Sequence, residues 1–232
     1  MASIIDTFIA PPCEAAIEIL YQDEALLIIN KPSGLLSLSG KNPLNWDSVH
    51  YRLLQQFPGC TLVHRLDFGT SGLMLVGLNK ASTAALSQQF SERSVDKTYH
   101  ALLCGHLSNN SGIIDAPIAK DPQNFPLMRI DATTGKPAQS RYEVEQRIEY
   151  PLSSGPTLPI TQVKLSPLTG RTHQLRIHCQ YLGYPILGCD LYGGRDYPNL
   201  APPPRLMLHA SAIRFQHPLS GITMALESPL PF

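Results

Sequence analysis

The stretch Val63-His64-Arg65-Leu66-Asp67-Phe68-Gly69-Thr70-Ser71-Gly72-Leu73 places an aspartate between a basic pair and a run of small residues. Two short apolar segments, 61–63 and 73–78, flank it, and their content of Val, Leu and Thr predicts buried strands. The glycines allow a tight turn between these strands, which predicts that Asp67 lies on a rigid turn at the mouth of a sheet. A carboxylate held in this way can serve as a nucleophile or a general base.

Local chemistry alone also allows a simpler interpretation, in which Asp67 caps a turn and Arg65 is a solvated surface charge. However, His64-Arg65-Leu66-Asp67 followed by Thr70-Ser71-Gly72-Leu73 resembles the signature of the RluA family of pseudouridine synthases. The resemblance implies that Asp67 is the catalytic residue. It also implies that Arg65 fills the space left by a flipped uridine, and that His64 helps to hold the opened RNA.

Two shorter strings resemble further motifs of the same family. Asn30-Lys31-Pro32-Ser33-Gly34 is similar to its first motif, and the resemblance makes Lys31 a candidate RNA-binding residue. A lysine at a strand end is otherwise an ordinary solvated side chain. Lys97-Thr98-Tyr99 is similar to the family position whose tyrosine lies against the target base, although Tyr99 alone would be read as a half-buried strand aromatic.

The third motif is the string from Leu168 to His178, which contains Gly-Arg-Thr-His-Gln-Leu-Arg. In the family the second arginine of this string pairs with the catalytic Asp, which implies that Arg176 orients Asp67. Arg171 precedes the predicted helix and is a candidate RNA-binding residue. The alternative is that both arginines are ordinary surface charges. The two histidines of the motif are five residues apart, so they do not share a helical face and do not predict a metal site.

The segment 115–137 is rich in Pro and Asp and predicts a long loop or an irregular hairpin, which is often a binding element. Related chains typically carry two basic residues here, whereas this chain has Asn124-Phe125-Pro126-Leu127 with only Arg129 following. Phe125 could stack on an unpaired base, and Arg129 could contact a phosphate. Equally, Phe125 and Leu127 could pack the loop onto the domain.

Composition limits the possible classes of protein. The chain has 232 residues, of which 43% are hydrophobic, with 21 prolines and 16 glycines, and it contains no apolar run of eighteen residues that would span a membrane. Five widely spaced cysteines without a Cys-x-x-Cys pair predict neither disulfides nor zinc, which favours a reducing cytoplasm. The segment 34–41 does not have the spacing of a phosphate-binding loop, so no nucleotide cofactor is predicted.

The charge balance is neutral but uneven along the chain. There are 18 basic and 18 acidic residues in total. Residues 1–60 carry three Lys or Arg against six Asp or Glu, and residues 151–232 carry six against three. A neutral protein with this distribution can still present a basic groove to RNA.

The pattern of elements predicts an α+β protein. We expect a strand hairpin over 17–30, helices over 46–57, 81–90 and 175–182, and strands over 97–103, 139–146, 161–165, 206–215 and 222–227, with a loop at 153–156. The resemblance implies a single-domain pseudouridine synthase fold, a mixed and largely antiparallel sheet flanked by helices and loops, with an active-site cleft. Residues 17–232 would form this catalytic domain without an appended RNA-binding domain, and residues 1–16 a loose lead-in.

The function implied by the resemblance is isomerisation of uridine to pseudouridine in structured RNA, in large-subunit ribosomal RNA, the tRNA anticodon stem-loop or both. The target must be flipped out of its stack, and the reaction requires no cofactor or metal. We expect a monomer. Two other classes are an RNA or nucleoside glycosidase, although no second carboxylate near Asp67 is evident, and a catalytically inactive RNA-binding module.

Overall fold

The computed structural model describes residues 8–40, 42–150, 157–193 and 205–232. The chain divides into two compact units, Met1–Val95 with Ile213–Ser228 and Asp96–Ala212 with Pro229–Phe232. The elements in chain order are β1 Glu18–Gln22, β2 Leu26–Lys31, α1 Val49–Leu54, β3 Thr61–Leu62, β4 Ser71–Gly77, α2 Lys80–Glu92, β5 Asp96–Cys104, β6 Ser111–Asp115, β7 Ile118–Lys120, β8 Met128–Ile130, β9 Gln139–Tyr150, β10 Leu158–Pro167, α3 Gln174–Tyr181, β11 Leu208–Gln216 and β12 Thr223–Glu227.

The first unit is built on β4. β2 pairs with β4 along its full length, β1 pairs with β2 and the short β3 pairs with β4, all antiparallel. Every residue of β4 is buried, as expected for a continuous apolar strand that is covered on both faces of its sheet. Leu26 and Ile28 of β2 share a core with Leu86 of α2 and Phe215 of β11. The predicted hairpin and the two strands flanking Asp67 are therefore confirmed, although of these two strands only β4 is buried and the two residues of β3 are not.

Helix α2 packs closely on the end of β4. A Cβ atom added to Gly77 would lie 2.9 Å from the Cα of Thr83, so only glycine permits this approach. The helix begins after Asn79, whose side chain accepts a hydrogen bond from the Ser82 backbone at 2.9 Å. The sequence predicted a helix over 81–90, and the observed start is one residue earlier because the asparagine side chain is a strong N-terminal cap.

Helix α1 is shorter than predicted. It begins after Ser48, whose hydroxyl accepts from the Tyr51 backbone N–H at 3.1 Å. Trp46 therefore lies outside the helix and is 54% exposed, with its ring edge-on to Tyr51 at 4.7 Å. The predicted start of the helix at Trp46 is therefore wrong, and within α1 only Val49 and Leu53 are buried.

The second unit is an antiparallel sheet in the order β5-β10-β9-β6, with β7 and β8 forming a separate hairpin. Leu175, Ile177 and Cys179 of α3 pack into the same core as Val163 and Leu165 of β10. β9 and β10 extend beyond the predicted strands, and the predicted loop at 153–156 lies outside the described residues. The α+β class with a largely antiparallel sheet is confirmed.

Residues 8–16 contain no helix or strand but contact the first unit. The side-chain amide of Asn45 accepts from the Ala10 backbone at 2.8 Å and donates to the Phe8 carbonyl at 2.7 Å. The Phe8 ring lies edge-on to that of Phe68 at 5.4 Å, and Arg52 donates to the Ala15 carbonyl at 2.7 Å. These contacts hold the described part of a segment that the sequence predicted to be loose.

Candidate active site

The turn that carries Asp67 is fixed through the residue before it. Leu66 is buried, and the hydroxyl of Ser37 donates to its carbonyl at 2.7 Å and accepts from its N–H at 3.1 Å. The Thr70 N–H donates to the Asp67 carbonyl at 3.1 Å, which closes the turn. The Asp67 side chain is half-buried. The main chain at Asp67 is therefore rigid, and the residue is neither fully buried nor fully exposed.

The first sequence motif supports this turn from the opposite side. The Lys31 ammonium group donates to the carbonyls of Pro32 at 2.9 Å, Leu35 at 2.7 Å and Phe68 at 3.2 Å. In addition, Ser33 donates its hydroxyl hydrogen to the Gly69 carbonyl at 2.6 Å. The Lys31 side chain has no exposed surface. A buried ammonium group requires such acceptors, so Lys31 joins the two motifs and is not exposed for a contact with RNA.

His64 and Arg65 differ in their surroundings. The Nε2 atom of His64 accepts from the Leu75 backbone N–H at 2.9 Å, and its ring stacks on Phe90 with centroids 4.5 Å apart. This nitrogen carries no proton while it accepts. Arg65 is exposed. The first unit thus places Lys31, His64, Arg65 and Asp67 on one framework, and within this group Arg65 presents a cation to solvent.

In the second unit, Gln174 organises the third motif. Its side-chain oxygen accepts from the Thr169 hydroxyl at 2.7 Å and from the Arg171 N–H at 3.0 Å. Its side-chain nitrogen donates to the Gln139 carbonyl at 2.8 Å and to the Ser140 hydroxyl at 3.0 Å. Two of these bonds attach the start of α3 to β9, and the other two hold the segment that precedes the helix. The role of Gln174 was not predicted, because its only signal in the sequence was a polar residue directly before the apolar face of a helix.

Arg176 is 4% exposed, and its charge is met by groups that follow α3. Its Nε and Nη2 atoms both donate to the Cys189 sulfur at 3.3 Å, and Nη2 also donates to the Asp190 carboxylate. The Tyr192 ring centroid lies 5.6 Å from the guanidinium carbon. None of these three partners was predicted from the sequence. The pairing of Arg176 with Asp67 stays a prediction.

Two other candidate RNA-contacting residues lie in the second unit: Arg171 belongs to the third motif, and Tyr99 lies on the sheet. Arg171 is half-buried and donates from Nε to the Pro137 carbonyl at 3.1 Å. Tyr99 lies on β5, where its Cα faces Leu165 of β10, and its half-buried ring packs against the core of the unit. Both residues keep part of their side chain exposed, so contact with RNA is possible for each of them.

The β7–β8 hairpin separates the two hydrophobic residues of its loop. Phe125 is 56% exposed, whereas Leu127 packs against the core. Arg129 is paired with the Asp131 carboxylate at 2.8 Å. Hydrogen bonds from the backbone and hydroxyl of Thr134, with that of Arg129, hold the pKa of Asp131 well below its usual range. Arg129 is therefore partly neutralised, and Phe125 is the more accessible candidate for RNA.

Comparison with known proteins places these motifs in one family. The family of RNA pseudouridylate synthases matches residues 25–181, a range that includes Lys31, Asp67, Tyr99 and Arg176. The chain belongs to this family and is an enzyme that isomerises uridine in RNA to pseudouridine. The sequence-based assignment of this activity is thereby confirmed.

Particular relatives match over almost the whole chain. The dual-specificity RNA pseudouridine synthase RluA of Haemophilus influenzae is 41% identical over 96% of this chain and 97% of that protein. RluA of Escherichia coli K12 is 42% identical with the same coverage. The solved structure of human RNA pseudouridylate synthase domain containing 1 has a TM-score of 0.78 and 33% identity, and the match covers 96% of this chain and 86% of that one.

Two further properties concern only the described residues. None of their helices is long and apolar enough to cross a membrane. Within the same residues, no three His, Cys, Asp or Glu side chains are grouped so that they could hold a metal ion.

Proposed function

We propose that Asp67 initiates the isomerisation, either by attacking C1′ of the target uridine or by removing a proton from its sugar. The proposal is supported by the turn itself, in which Ser37 and Lys31 fix the main chain on both sides of a half-buried aspartate. In both routes the N1–C1′ bond breaks, the uracil rotates, and C5 bonds to C1′. The proton on C5 is then lost and N1 gains one, so the reaction is redox-neutral.

Tyr99 and Arg176 are proposed to act on the same uridine as Asp67, so that residues 17–232 work as one catalytic domain. Tyr99 would contact the base and take part in the removal of the C5 proton. Arg176 would orient the Asp67 carboxylate, because a guanidinium group held by fixed partners loses little freedom when it binds a carboxylate. These roles rest on the family resemblance and on the fixed guanidinium of Arg176.

The proposed substrates are stem-loops of large-subunit ribosomal RNA and of the tRNA anticodon arm. The support is the similarity, over nearly the full chain, to relatives described as dual-specificity enzymes. The uridine would be flipped out, with Arg65 filling its place and His64 and Arg171 contacting the opened RNA. Phe125 would stack on an unpaired base, a contact of about 1–3 kcal/mol. Arg129 would contribute less, since it is paired with Asp131.

We further propose that the enzyme works as a monomer in the cytoplasm without a cofactor. The reaction moves only bonds and protons of the substrate, so it has no need of a redox group, a nucleotide or a metal. All five cysteines are free thiols, which accords with a reducing compartment.

The experiment incubates the purified protein with ribosomal and tRNA stem-loops that carry tritium at C5 of uridine. Tritium release together with mapping of pseudouridine at one position in each RNA is the expected result. Release of free uracil would indicate a glycosidase, and binding without either product would indicate an inactive module. Both outcomes would contradict the proposal, and conversion of one RNA alone would contradict dual specificity.

A further inference from the structure

Tyr192 connects three parts of the second unit and has no role in the proposed chemistry. It is 6% exposed and follows the Cys189-Asp190 pair. Its hydroxyl oxygen accepts from the Met128 N–H at 2.8 Å and lies 2.8 Å from Nδ1 of His173. Its ring lies 5.6 Å from the Arg176 guanidinium and edge-on to the His173 ring, with centroids 5.6 Å apart.

The contact at Met128 fixes the loop that carries Phe125. Met128 is the first residue of β8, directly after the loop. The loop is closed internally, because the Leu127 N–H donates to the Asn124 carbonyl at 2.7 Å and the Asp121 N–H donates to the Leu127 carbonyl at 3.0 Å. The Tyr192 hydroxyl therefore attaches a preformed loop to the body of the unit at one main-chain atom.

The contact at His173 fixes the start of α3. His173 precedes the helix in a left-handed conformation with φ of 55°, which is unfavourable for a residue other than glycine. Its side chain does not cap the helix. Its ring is held by Tyr192 instead, three residues before Arg176. One side chain thus contacts the loop, the helix start and the guanidinium group.

We propose that Tyr192 is a positioning residue that couples the Phe125 loop to Arg176. The hydroxyl sets the position of the loop and so governs RNA binding. The ring sets the position of the guanidinium group and so governs the chemical step. The inference rests on the proposed function, in which the loop binds RNA and Arg176 serves catalysis.

The test separates the hydroxyl from the ring. Tyr192→Phe keeps the ring but removes the hydroxyl and with it the contacts to Met128 and His173, so KM for the RNA should rise at least about fivefold, the loss expected for one to two hydrogen bonds, while kcat falls by a smaller factor than KM rises. Tyr192→Leu also removes the ring, so kcat should fall further. Tyr184→Phe is the matched control, because the Tyr184 hydroxyl lies 3.5 Å from the hydroxyl of Ser108, which precedes β6 and is part of neither the Phe125 loop nor α3. It should leave both constants unchanged.

A double-mutant cycle tests the coupling. If the hydroxyl acts through the loop, Tyr192→Phe should raise KM much less when Phe125→Ala is already present. Full additivity of the two changes, or a fall in kcat for Tyr192→Phe equal to its rise in KM, would overturn the inference.

Amide hydrogen exchange, measured without RNA, distinguishes failure of the coupling through Tyr192 from failure of the proposed function. Tyr192→Phe should accelerate amide exchange at Met128, and Tyr184→Phe should not. An unchanged exchange rate at Met128 would overturn the coupling, whatever RNA the enzyme uses. Accelerated exchange in an enzyme that converts neither stem-loop would support the positioning of the loop and contradict only the proposed substrate.

Discussion

The candidate active-site residues depend on buried polar groups whose partners lie mainly in the main chain. Lys31 shows this most directly, since its ammonium group meets three carbonyls and its side chain is fully buried. The sequence identified Lys31 as a motif residue but could not predict its burial, because a lysine at a strand end is usually solvated. Hydrogen-bond partners that are main-chain carbonyl groups cannot be recognised from the pattern of side chains in a sequence.

Replacing Lys31 by methionine should destabilise the first unit and slow the reaction. The change leaves three carbonyls in the interior without their donor, so we expect the free energy of unfolding to fall by about 2–4 kcal/mol. Activity should fall because the Phe68 carbonyl, next to Asp67, is released. Urea denaturation and pseudouridine formation measure the two effects. Lys164→Met, at an exposed position of β10, is the control, and equal stability of the two variants would contradict the role of Lys31.

At the level of elements, the sequence predicted most helices and strands but not all of their limits. Hydrophobic periodicity located α2 and α3, whereas the cap at Ser48 shortened α1 and left Trp46 exposed. The structure also places two loop residues, for which the sequence predicted the same alternatives, in different environments. Phe125 is exposed because it lies within the turn that the Leu127 N–H closes onto the Asn124 carbonyl, whereas Leu127 lies at the end of this turn, next to β8, and packs against the core.

This separation predicts opposite effects for two alanine substitutions in the loop. Phe125→Ala should weaken RNA binding about fivefold to a hundredfold, the range of one lost base-stacking contact, and should leave stability unchanged. Leu127→Ala should lower the free energy of unfolding by about 1–3 kcal/mol, because it removes part of the packing under the hairpin. Filter binding and thermal unfolding distinguish them. RNA affinity that is unchanged by Phe125→Ala would remove this loop from substrate recognition.

For the whole molecule, buried histidines predict how stability depends on pH. Burial, with Arg205 and His100 nearby, lowers the pKa of His209 to about 4, and burial also lowers the pKa of His178. In the unfolded chain these groups take up protons below a pH of about 6.5. The preference of the folded state for the neutral histidines therefore stabilises the protein fully above that pH. This stabilisation is lost as the pH falls towards about 4.

Across this pH interval, His209 alone should lower the free energy of unfolding by on the order of 3 kcal/mol. Urea unfolding at a series of pH values measures this loss. His209→Gln should flatten the dependence, because the amide does not titrate. His106→Gln, which replaces a largely exposed histidine, is the control and should retain it. Identical pH profiles for wild type and His209→Gln would contradict the assignment.

The site as a whole could be predicted from the sequence only through its motifs. The family match confirmed the activity that they indicated, and it covers residues 25–181. The supporting groups Ser37, Gln174, Cys189 and Tyr192 were not predicted, because each acts through contacts with residues that are distant in the sequence. Only the folded chain brings such partners together.

The most direct test of the account is turnover by Asp67→Asn on a stem-loop labelled with tritium at C5. The amide is nearly the same size as the carboxylate but cannot serve as a nucleophile or a base. We expect pseudouridine formation to be abolished while thermal unfolding and RNA binding stay close to those of the wild type. Asp96→Asn, at the exposed start of β5, should remain fully active. Retention of even about a tenth of wild-type turnover by Asp67→Asn would contradict the assignment of Asp67.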